Sequence, residues 1–417
     1  MSIATQLQAQ VDAQLLEQGA FAPLDLLFNS GRLLYGDYEA WRRGEIELLD
    51  EILMGDRQKI LAELEQATAY ARSIGLVEQP QELSAWSSDA DTRKPLRASA
   101  DPRLQRLIGN RYLPAQKAPQ MDLFFDNPVV ALTNGIAQAL SARNLPDSQR
   151  QLDRLYLQAP NHPDLAAFDQ LVSALDDLGR PVEDGAGRLA LLTAITPTAR
   201  QLLGPGSRDY LAPLWRHLAE ALAGRAFEPA EPNLHRSFAL GQAQDWAGVS
   251  ESILREAQWW SHAQLCLRMA ESAFRRRRRT EALTALCYLC WIAPDQVDSD
   301  IERLAQPDLT VLWQLFLESE AEALESGVSG AALTAGDFPA WLLLYEPGLA
   351  RQLDVDLPRG RSPASEDHYR CVHRWIHAHR AHQRQEEMAL RKSLQQSHPI
   401  LFWMLKRSLE KSGPLSH

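Results

Sequence analysis

Helical periodicity runs through almost the whole chain and favours an all-α fold. One stripe of apolar side chains recurs at the spacing of a single helix face: Ile60, Leu64, Ala67, Ala71 and Ile74. The preceding Asp56 is a residue type that caps helix N-termini. Signals for strands are almost absent, because no convincing run alternates Val, Ile and Thr with polar residues and no Asn-Gly hairpin occurs.

Two segments repeat one plan, in which a helix, a short turn and a second helix are closed by Ala-Pro and then Asn or Asp. Residues 127–163 read NPVVALTNGIAQALSARNLPDSQRQLDRLYLQAPNHP. Residues 262–295 read HAQLCLRMAESAFRRRRRTEALTALCYLCWIAPD. A helix pair has an apolar face that it cannot bury alone, so neighbouring pairs are expected to stack and complete one another's core.

Both segments resemble the tetratricopeptide repeat, a helix–turn–helix of about 34 residues with small residues at fixed packing positions. With Pro294 as the closing proline, Ala270 and Ala282 fall on the two small-residue positions. The first segment departs from the pattern, since Ile136 and Ser148 stand there. The resemblance implies an irregular tetratricopeptide-like α-solenoid of stacked helix pairs, whose curved face holds peptides or helices of a protein partner.

Composition and periodicity divide the chain into five predicted segments. Residues 79–120 are rich in Pro, Asp, Ser and Arg, and read as a linker with one short helix at Pro102–Ile108. The sequence MDLFFDNP, at Met121–Pro128, is interpreted as an anchor of this linker on the first repeat. The apolar run AWLLLY, at Ala340–Tyr345, predicts a buried helix with Asp337 as its N-cap. The segments are a helical N-terminal unit (1–78), the linker (79–120), helical repeats (121–320), a connecting segment with the buried apolar helix (321–365) and basic, His-rich C-terminal helices (366–417).

The charge of the chain is distributed unevenly. The formal net charge is −11, whereas the segment from Arg359 to the end carries 11 Lys and Arg against 5 Asp and Glu. Such asymmetry is typical of a site for an acidic partner. The first residues lack the basic start and continuous apolar core of a signal peptide, and no run approaches the length of a membrane span. We therefore expect a cytoplasmic protein, of bacterial type by its composition, that does not enter a membrane.

Five consecutive arginines, Arg275, Arg276, Arg277, Arg278 and Arg279, are predicted to join the two helices of the 262–295 segment. Cations are favoured in the last turn of a helix, so the run is expected to begin there and to end before Thr280 caps the second helix. The arginines form either a solvated or internally paired turn, or a site for an acidic partner. An alternative function follows from them and from the basic C-terminal tail, namely association with nucleic acid through phosphate contacts.

The C-terminal segment contains the cluster DHYRCVHRWIHAHRAH, in which His373, Arg374 and His377 are candidate partner-binding residues. His373 and His377 lie one helical turn apart, a spacing that suits a shared metal ion. However, Arg370 and Arg374 on the same face would repel a cation, and no carboxylate is evident to orient the imidazoles. We therefore predict no metal site, and interpret the face as a pH-sensitive or anion-binding surface.

The sequence offers little that indicates catalysis. Cys287 and Cys290 have the spacing of a redox or metal motif, but both lie inside a predicted helix among apolar residues, where packing is the simpler role. Phosphate loops, nucleophile elbows and dinucleotide fingerprints are absent. The prediction is a non-enzymatic scaffold, adaptor or assembly factor that needs no cofactor and binds another protein.

Overall fold

The computed structural model describes residues 3–81, 83–86, 94–114, 128–357 and 362–412. The fold is all-α, with neighbouring helices packed in pairs, as the sequence predicts. The chain divides into two compact units, Met1–Val249 (unit 1) and Ser250–His417 (unit 2). Among the described residues, no helix is both long and apolar enough to cross a membrane. The finer division into five segments stays a prediction.

The helices of unit 1 begin with α1 and end with α12, which continues across the division into unit 2. Their bounds are α1 Ile3–Gln18, α2 Pro23–Asn29, α3 Tyr35–Arg42, α4 Arg57–Ser73, α5 Pro102–Ile108, α6 Pro128–Ser141, α7 Leu145–Gln158, α8 Leu165–Asp176, α9 Gly185–Leu203, α10 Ser207–Ala221, α11 Arg236–Gln242 and α12 Trp246–Leu254. Unit 2 contains α13 Ala263–Arg275, α14 Arg279–Ile292, α15 Val297–Leu304, α16 Pro307–Glu325, α17 Phe338–Tyr345, α18 Pro363–Arg380, α19 Arg384–Ser397 and α20 Pro399–Ser412.

Helix α4 carries most of the apolar stripe that the sequence predicts. Asp56 caps it, as predicted, because its carboxylate accepts the N–H of Lys59 at 2.9 Å. The predicted stripe is buried in the core of unit 1, with the exception of its last member. Ile74 follows the end of the helix and is 43% exposed, because the chain turns there and the helix face no longer continues.

Two strands lie where the sequence indicates none. Strand β1 (Leu76–Pro80) pairs antiparallel with β2 (Asn110–Pro114), so that Val77 stands opposite Leu113. The strands read LVEQP and NRYLP, and neither alternates apolar with polar residues. The predicted short helix at Pro102–Ile108 is confirmed as α5, and Asp101 caps it through the N–H of Arg103. These elements pack on the core of unit 1. Of the predicted anchor MDLFFDNP, all but Pro128 lies outside the described residues.

One turn geometry recurs in the described chain, between α6 and α7, α11 and α12, α13 and α14, and α18 and α19. In each turn a residue other than glycine has a positive φ of 55–58°: Arg143, Gln244, Arg277 and His382. Its N–H donates to the carbonyl three residues earlier, and the next N–H donates to the carbonyl five residues before itself. This is the Schellman closure of a helix C-terminus, normally made by glycine. The four turns are thus structural equivalents, although their sequences differ.

Small residues bring the helices of unit 2 close together. Ala270 on α13 and Ala282 on α14 are completely buried, as their positions in the repeat pattern predict. The apolar run that forms α17 is also buried as predicted, with only Tyr345 exposed among Phe338–Tyr345. Leucine and aromatic side chains from these helices fill the core beside the small residues.

Candidate functional site

The five arginines form the turn between α13 and α14, as predicted. Arg275 is the last residue of α13, Arg276–Arg278 make the turn, and Arg279 is the first residue of α14. The expected cap is wrong, because Arg278 and not Thr280 holds the N-cap position, without a side-chain hydrogen bond. Since equivalent turns carry Arg143, Gln244 and His382 at the left-handed position, the turn geometry itself requires no arginine.

Arg276 and Arg279 of the run are bound within unit 2. Arg279 makes a bidentate pair with Glu346 at 2.8 and 2.9 Å, and Arg276 Nη1 donates to Ser250 Oγ at 3.2 Å. Arg277 and Arg278 are exposed. The five guanidinium groups therefore do not form one continuous basic surface, and the internally paired interpretation describes part of the run.

Helix α18 uses its predicted partner-binding histidines to hold the chain that precedes it. His373 is buried and its Nε2 lies 2.9 Å from the carbonyl oxygen of Leu353. His377 makes the same contact with Ala350 at 2.9 Å, and the two rings stack with centroids 4.9 Å apart. Because a carbonyl only accepts, both Nε2 atoms carry a proton. Of the three predicted partner-binding residues of α18, Arg374 and His377 are exposed and His373 is buried. This burial lowers the pKa of His373.

A carboxylate that the sequence analysis did not connect with the histidines lies among them. Asp337, placed by the prediction as the N-cap of α17, makes no cap bond to that helix. Its carboxylate instead accepts from Thr334 N–H at 3.0 Å and from Thr334 O–H at 2.7 Å, and lies 2.9 Å from His368 Nδ1. His398 Nε2 lies 3.8 Å away. Burial raises the pKa of Asp337, but the bonds from His368 and Thr334 outweigh it and the pKa is lowered.

Asp337, His368 and His398 are all buried and have ligand atoms within 4.8 Å of one another, the composition of a metal site. The hydrogen bonds around His398 argue against coordination. Its Nδ1 accepts the N–H of Leu401 at 3.3 Å, at the start of α20. Since a neutral imidazole carries one proton, that proton is on Nε2, the atom that would have to bind the ion. The cluster is best explained as a buried polar junction that joins the N-termini of α17 and α20 to α18.

The cysteine pair is buried as the sequence predicts. Cys287 and Cys290 lie on α14 with 2% and 0% exposure, and both are free thiols. Burial raises the pKa of Cys287 to about 12 and raises that of Cys290 well above its usual range. A thiolate, the form that attacks or binds metal, is therefore disfavoured at both positions, which suits packing.

An apolar groove lies on unit 2 where α16, α17 and α20 pack together. It encloses about 290 Å³ and its lining includes Leu315, Trp341, Tyr345, Trp403 and Met404. Its floor is rigid: the Trp341 indole N–H donates to Ser319 Oγ at 2.9 Å, and the Trp341 and Tyr345 rings stack 5.1 Å apart. Tyr345 is 52% exposed, so the groove presents an aromatic surface at its rim.

The rim of this groove is acidic. Glu318 and Glu322 line it and are both exposed. Arg407 is the one basic lining residue, and it is engaged by an ion pair with Glu322 and by its position 4.8 Å over the Trp403 ring. Helix α16 as a whole contains five acidic residues and no basic one. The negative charge therefore borders an exposed apolar surface.

No protein-family model matches the chain, and neither a curated protein nor a solved structure matches it. The resemblance to the tetratricopeptide repeat thus rests on the sequence pattern, beside a fold of paired helices that agrees with it.

Proposed function

We propose that the chain is a non-enzymatic scaffold or adaptor, and that the groove between α16, α17 and α20 holds an amphipathic helix with basic flanks from a protein partner. The observation that carries this proposal is an exposed aromatic groove bordered by carboxylates. Helices bind grooves of this kind by inserting apolar side chains from one face. The location that we propose is the cytoplasm.

The shape of the groove suits anchor side chains. Its volume of about 290 Å³ takes a few apolar side chains but not a whole helix. Trp403 and Tyr345 give large, rigid contact areas, and residues of these types dominate binding energy at protein interfaces. The Trp341 ring below Tyr345 is already held by a hydrogen bond. Binding a partner therefore costs little side-chain entropy at this position.

The charge around the groove determines which residues can flank the apolar anchors of the partner helix. Glu318 and Glu322 lie on α16 beside exposed apolar side chains, including Leu317 at 48% and Leu324 at 54% exposure. Lysine or arginine next to the anchors of a partner helix would meet Glu318 directly, since Glu322 is already paired with Arg407, whereas acidic residues would be repelled. This choice differs from the acidic partner predicted for the arginine run, because two of those arginines are bound within unit 2.

A direct test measures the binding of a fluorescein-labelled amphipathic helix of Leu and Lys to the full chain by anisotropy. A peptide of the same pattern with Glu in place of Lys is the charge control. We expect the Lys peptide to bind, and Trp403→Ala to weaken binding by about tenfold or more, because a buried aromatic anchor contact is lost. Glu318→Gln should weaken it less and reduce its dependence on salt.

The matched control variant is Leu157→Ala on α7, which removes another exposed apolar side chain (84% exposed) far from the groove in sequence. It should bind the Lys peptide like the wild-type chain. The proposal is wrong if the wild-type chain fails to bind the Lys peptide, if it binds the Glu peptide equally well, or if Trp403→Ala and Leu157→Ala bind alike.

The alternative function, association with nucleic acid, is examined with labelled RNA and DNA oligonucleotides in the same assay. Binding that falls steeply with salt and disappears on replacing Arg277 and Arg278 by Gln would favour it. These two arginines lie in the turn itself and are exposed.

A further inference from the structure

Unit 1 contains a large polar cavity of about 710 Å³. Its walls come from the start of α2, from α3, from strand β2, from α6 and from the connection between α9 and α10. The connection is a short turn, Gly204–Gly206, that lies against α6. A Cβ atom on Gly206 would lie 2.1 Å from Ser141 Oγ, so only glycine lets the backbone form this part of the wall.

Two ion pairs also line the cavity. Arg208 Nη1 donates to Asp25 at 2.6 Å, and Arg42 Nη1 donates to Asp209 at 3.2 Å. Both carboxylates are buried, with 3% exposure for Asp25 and 7% for Asp209. Because each arginine faces one carboxylate, these four charges balance and fix the wall without leaving a net charge.

A fifth charge in the cavity lining has no such balance within the described chain. Arg111 on β2 lines the cavity and is partly buried, and among the described residues no carboxylate pairs with it. A guanidinium that is partly withdrawn from water attracts a counter-charge, and an oxyanion in the cavity would meet it with charge-assisted hydrogen bonds.

Four neutral amides stand among the other lining residues. These side chains are Gln81, Asn134, Gln138 and Gln201. Hydroxyl groups are the complement of such amides, since a hydroxyl both donates and accepts hydrogen bonds. Aliphatic ligands would leave these groups unpaired.

We propose that this cavity binds a small oxyanion that bears hydroxyl groups, either a phosphate ester or a hydroxycarboxylate. Arg111 meets the oxyanion, and the amides meet the hydroxyls. The site is separate from the groove of unit 2, so it does not depend on the proposed protein binding.

Calorimetric titration of the full chain at low salt tests the proposal with glucose 6-phosphate, citrate, inorganic phosphate and glucose. We expect glucose 6-phosphate or citrate to bind, and whichever binds identifies phosphate or carboxylate as the preferred group. Inorganic phosphate should bind more weakly, and glucose should not bind, because each supplies only half of the recognised groups. Arg111→Gln should weaken binding by about tenfold or more, since a charge-assisted contact is lost.

A second variant tests the location without touching the charge. Gln138 is exposed on α6 at the edge of the cavity, so Gln138→Trp should obstruct it and abolish binding while the chain stays folded. Arg103→Gln, which changes an exposed arginine on α5 outside the cavity lining, is the matched control and should bind as the wild-type chain does. The proposal is overturned if neither glucose 6-phosphate nor citrate binds, or if Arg111→Gln and Gln138→Trp bind them as well as Arg103→Gln.

Discussion

Both units have apolar cores, but their interiors differ in the buried side chains that accompany those cores. Unit 1 buries paired charges: Glu39 is 2% exposed and accepts from Arg143 at 2.7 Å and from Arg216. Unit 2 buries rings and thiols around α14, where Trp291 lies in edge contact with Tyr288 and Tyr369. Charged pairs require a partner for every group, whereas apolar packing requires only volume and shape.

The difference has consequences for where ligands can bind. In unit 1 the ion pairs of Asp25 and Asp209 fix charged side chains in place around a polar cavity. Aromatic packing in unit 2 fills space, and the groove lies at the surface where α16, α17 and α20 meet. If the comparison is right, substitutions in the two interiors should reduce local stability by different amounts. The losses should also respond differently to salt and pH.

The largest effect is expected from Trp291→Ala in unit 2. The ring is completely buried and its N–H donates to the carbonyl oxygen of Gly336 at 3.1 Å. Removing it leaves a cavity and an unpaired carbonyl, so local stability should fall by about 3–5 kcal/mol, with little dependence on salt. Hydrogen exchange of peptides from α14, followed by mass spectrometry, measures the loss.

The same substitution at Trp403, which is only partly buried, is the control for the Trp291 prediction. It should reduce protection in unit 2 by less than half as much. Equal losses at Trp291 and Trp403 would show that packing density around α14 does not dominate the stability of unit 2.

An intermediate effect is expected from Glu39→Gln in unit 1. The change keeps the shape of the side chain but leaves Arg143 and Arg216 facing a neutral group. Breaking such a buried pair should cost about 3 kcal/mol, at the low end of the usual range because the arginine side chains are 23% and 28% exposed. Hydrogen exchange of α3 and α10 peptides reports the change.

Glu45→Gln provides the matched control for Glu39. Glu45 pairs with Arg43 at the surface, where both side chains are about half exposed, so its replacement should cost no more than about 0.5 kcal/mol. If the two variants lose the same protection, the buried charges of unit 1 contribute no more than surface pairs, and the comparison with unit 2 fails.

Local sequence rules predicted the parts of the fold that are decided locally. Helix α5 was predicted with its observed bounds because Asp101 and Pro102 give a cap followed by proline at the first position. The arginine turn was placed correctly because the repeat pattern fixes where the two helices meet. The short strands were missed, since β1 and β2 are stabilised by pairing across a long separation in sequence and not by their own pattern.

The candidate sites were less predictable for the same reason. The groove combines helices α16, α17 and α20, and the cavity combines residues from Ala22 to Asp209. Asp337 could be recognised as a helix-start residue, but its bond to His368 depends on tertiary packing that no local pattern reveals. In sequence Asp337 and His368 lie 31 residues apart, so nothing local connects them.

The smallest effect concerns pH and the junction of Asp337, His368 and His398 in unit 2. Burial is the main cause that lowers the pKa of His398, although Asp337 opposes it and His368 adds to it. An unfolded histidine titrates near pH 6.5. Because the folded state binds the proton less well, the stability is fully present above about pH 6.5 and is lost as the pH falls below it.

His398→Asn removes this titration and can keep the cap, since an asparagine oxygen can accept the N–H of Leu401 in place of Nδ1. We therefore expect the protection of α20 to fall between pH 7.5 and pH 5.5 in the wild-type chain, and to fall less in the variant. Asp337, whose pKa is lowered, stays ionised throughout this range and does not contribute. Hydrogen exchange at the two pH values, corrected for intrinsic rates, measures the difference. An equal decrease in both chains would mean that the pH response of unit 2 comes from groups such as His373, whose pKa burial also lowers, and not from the junction.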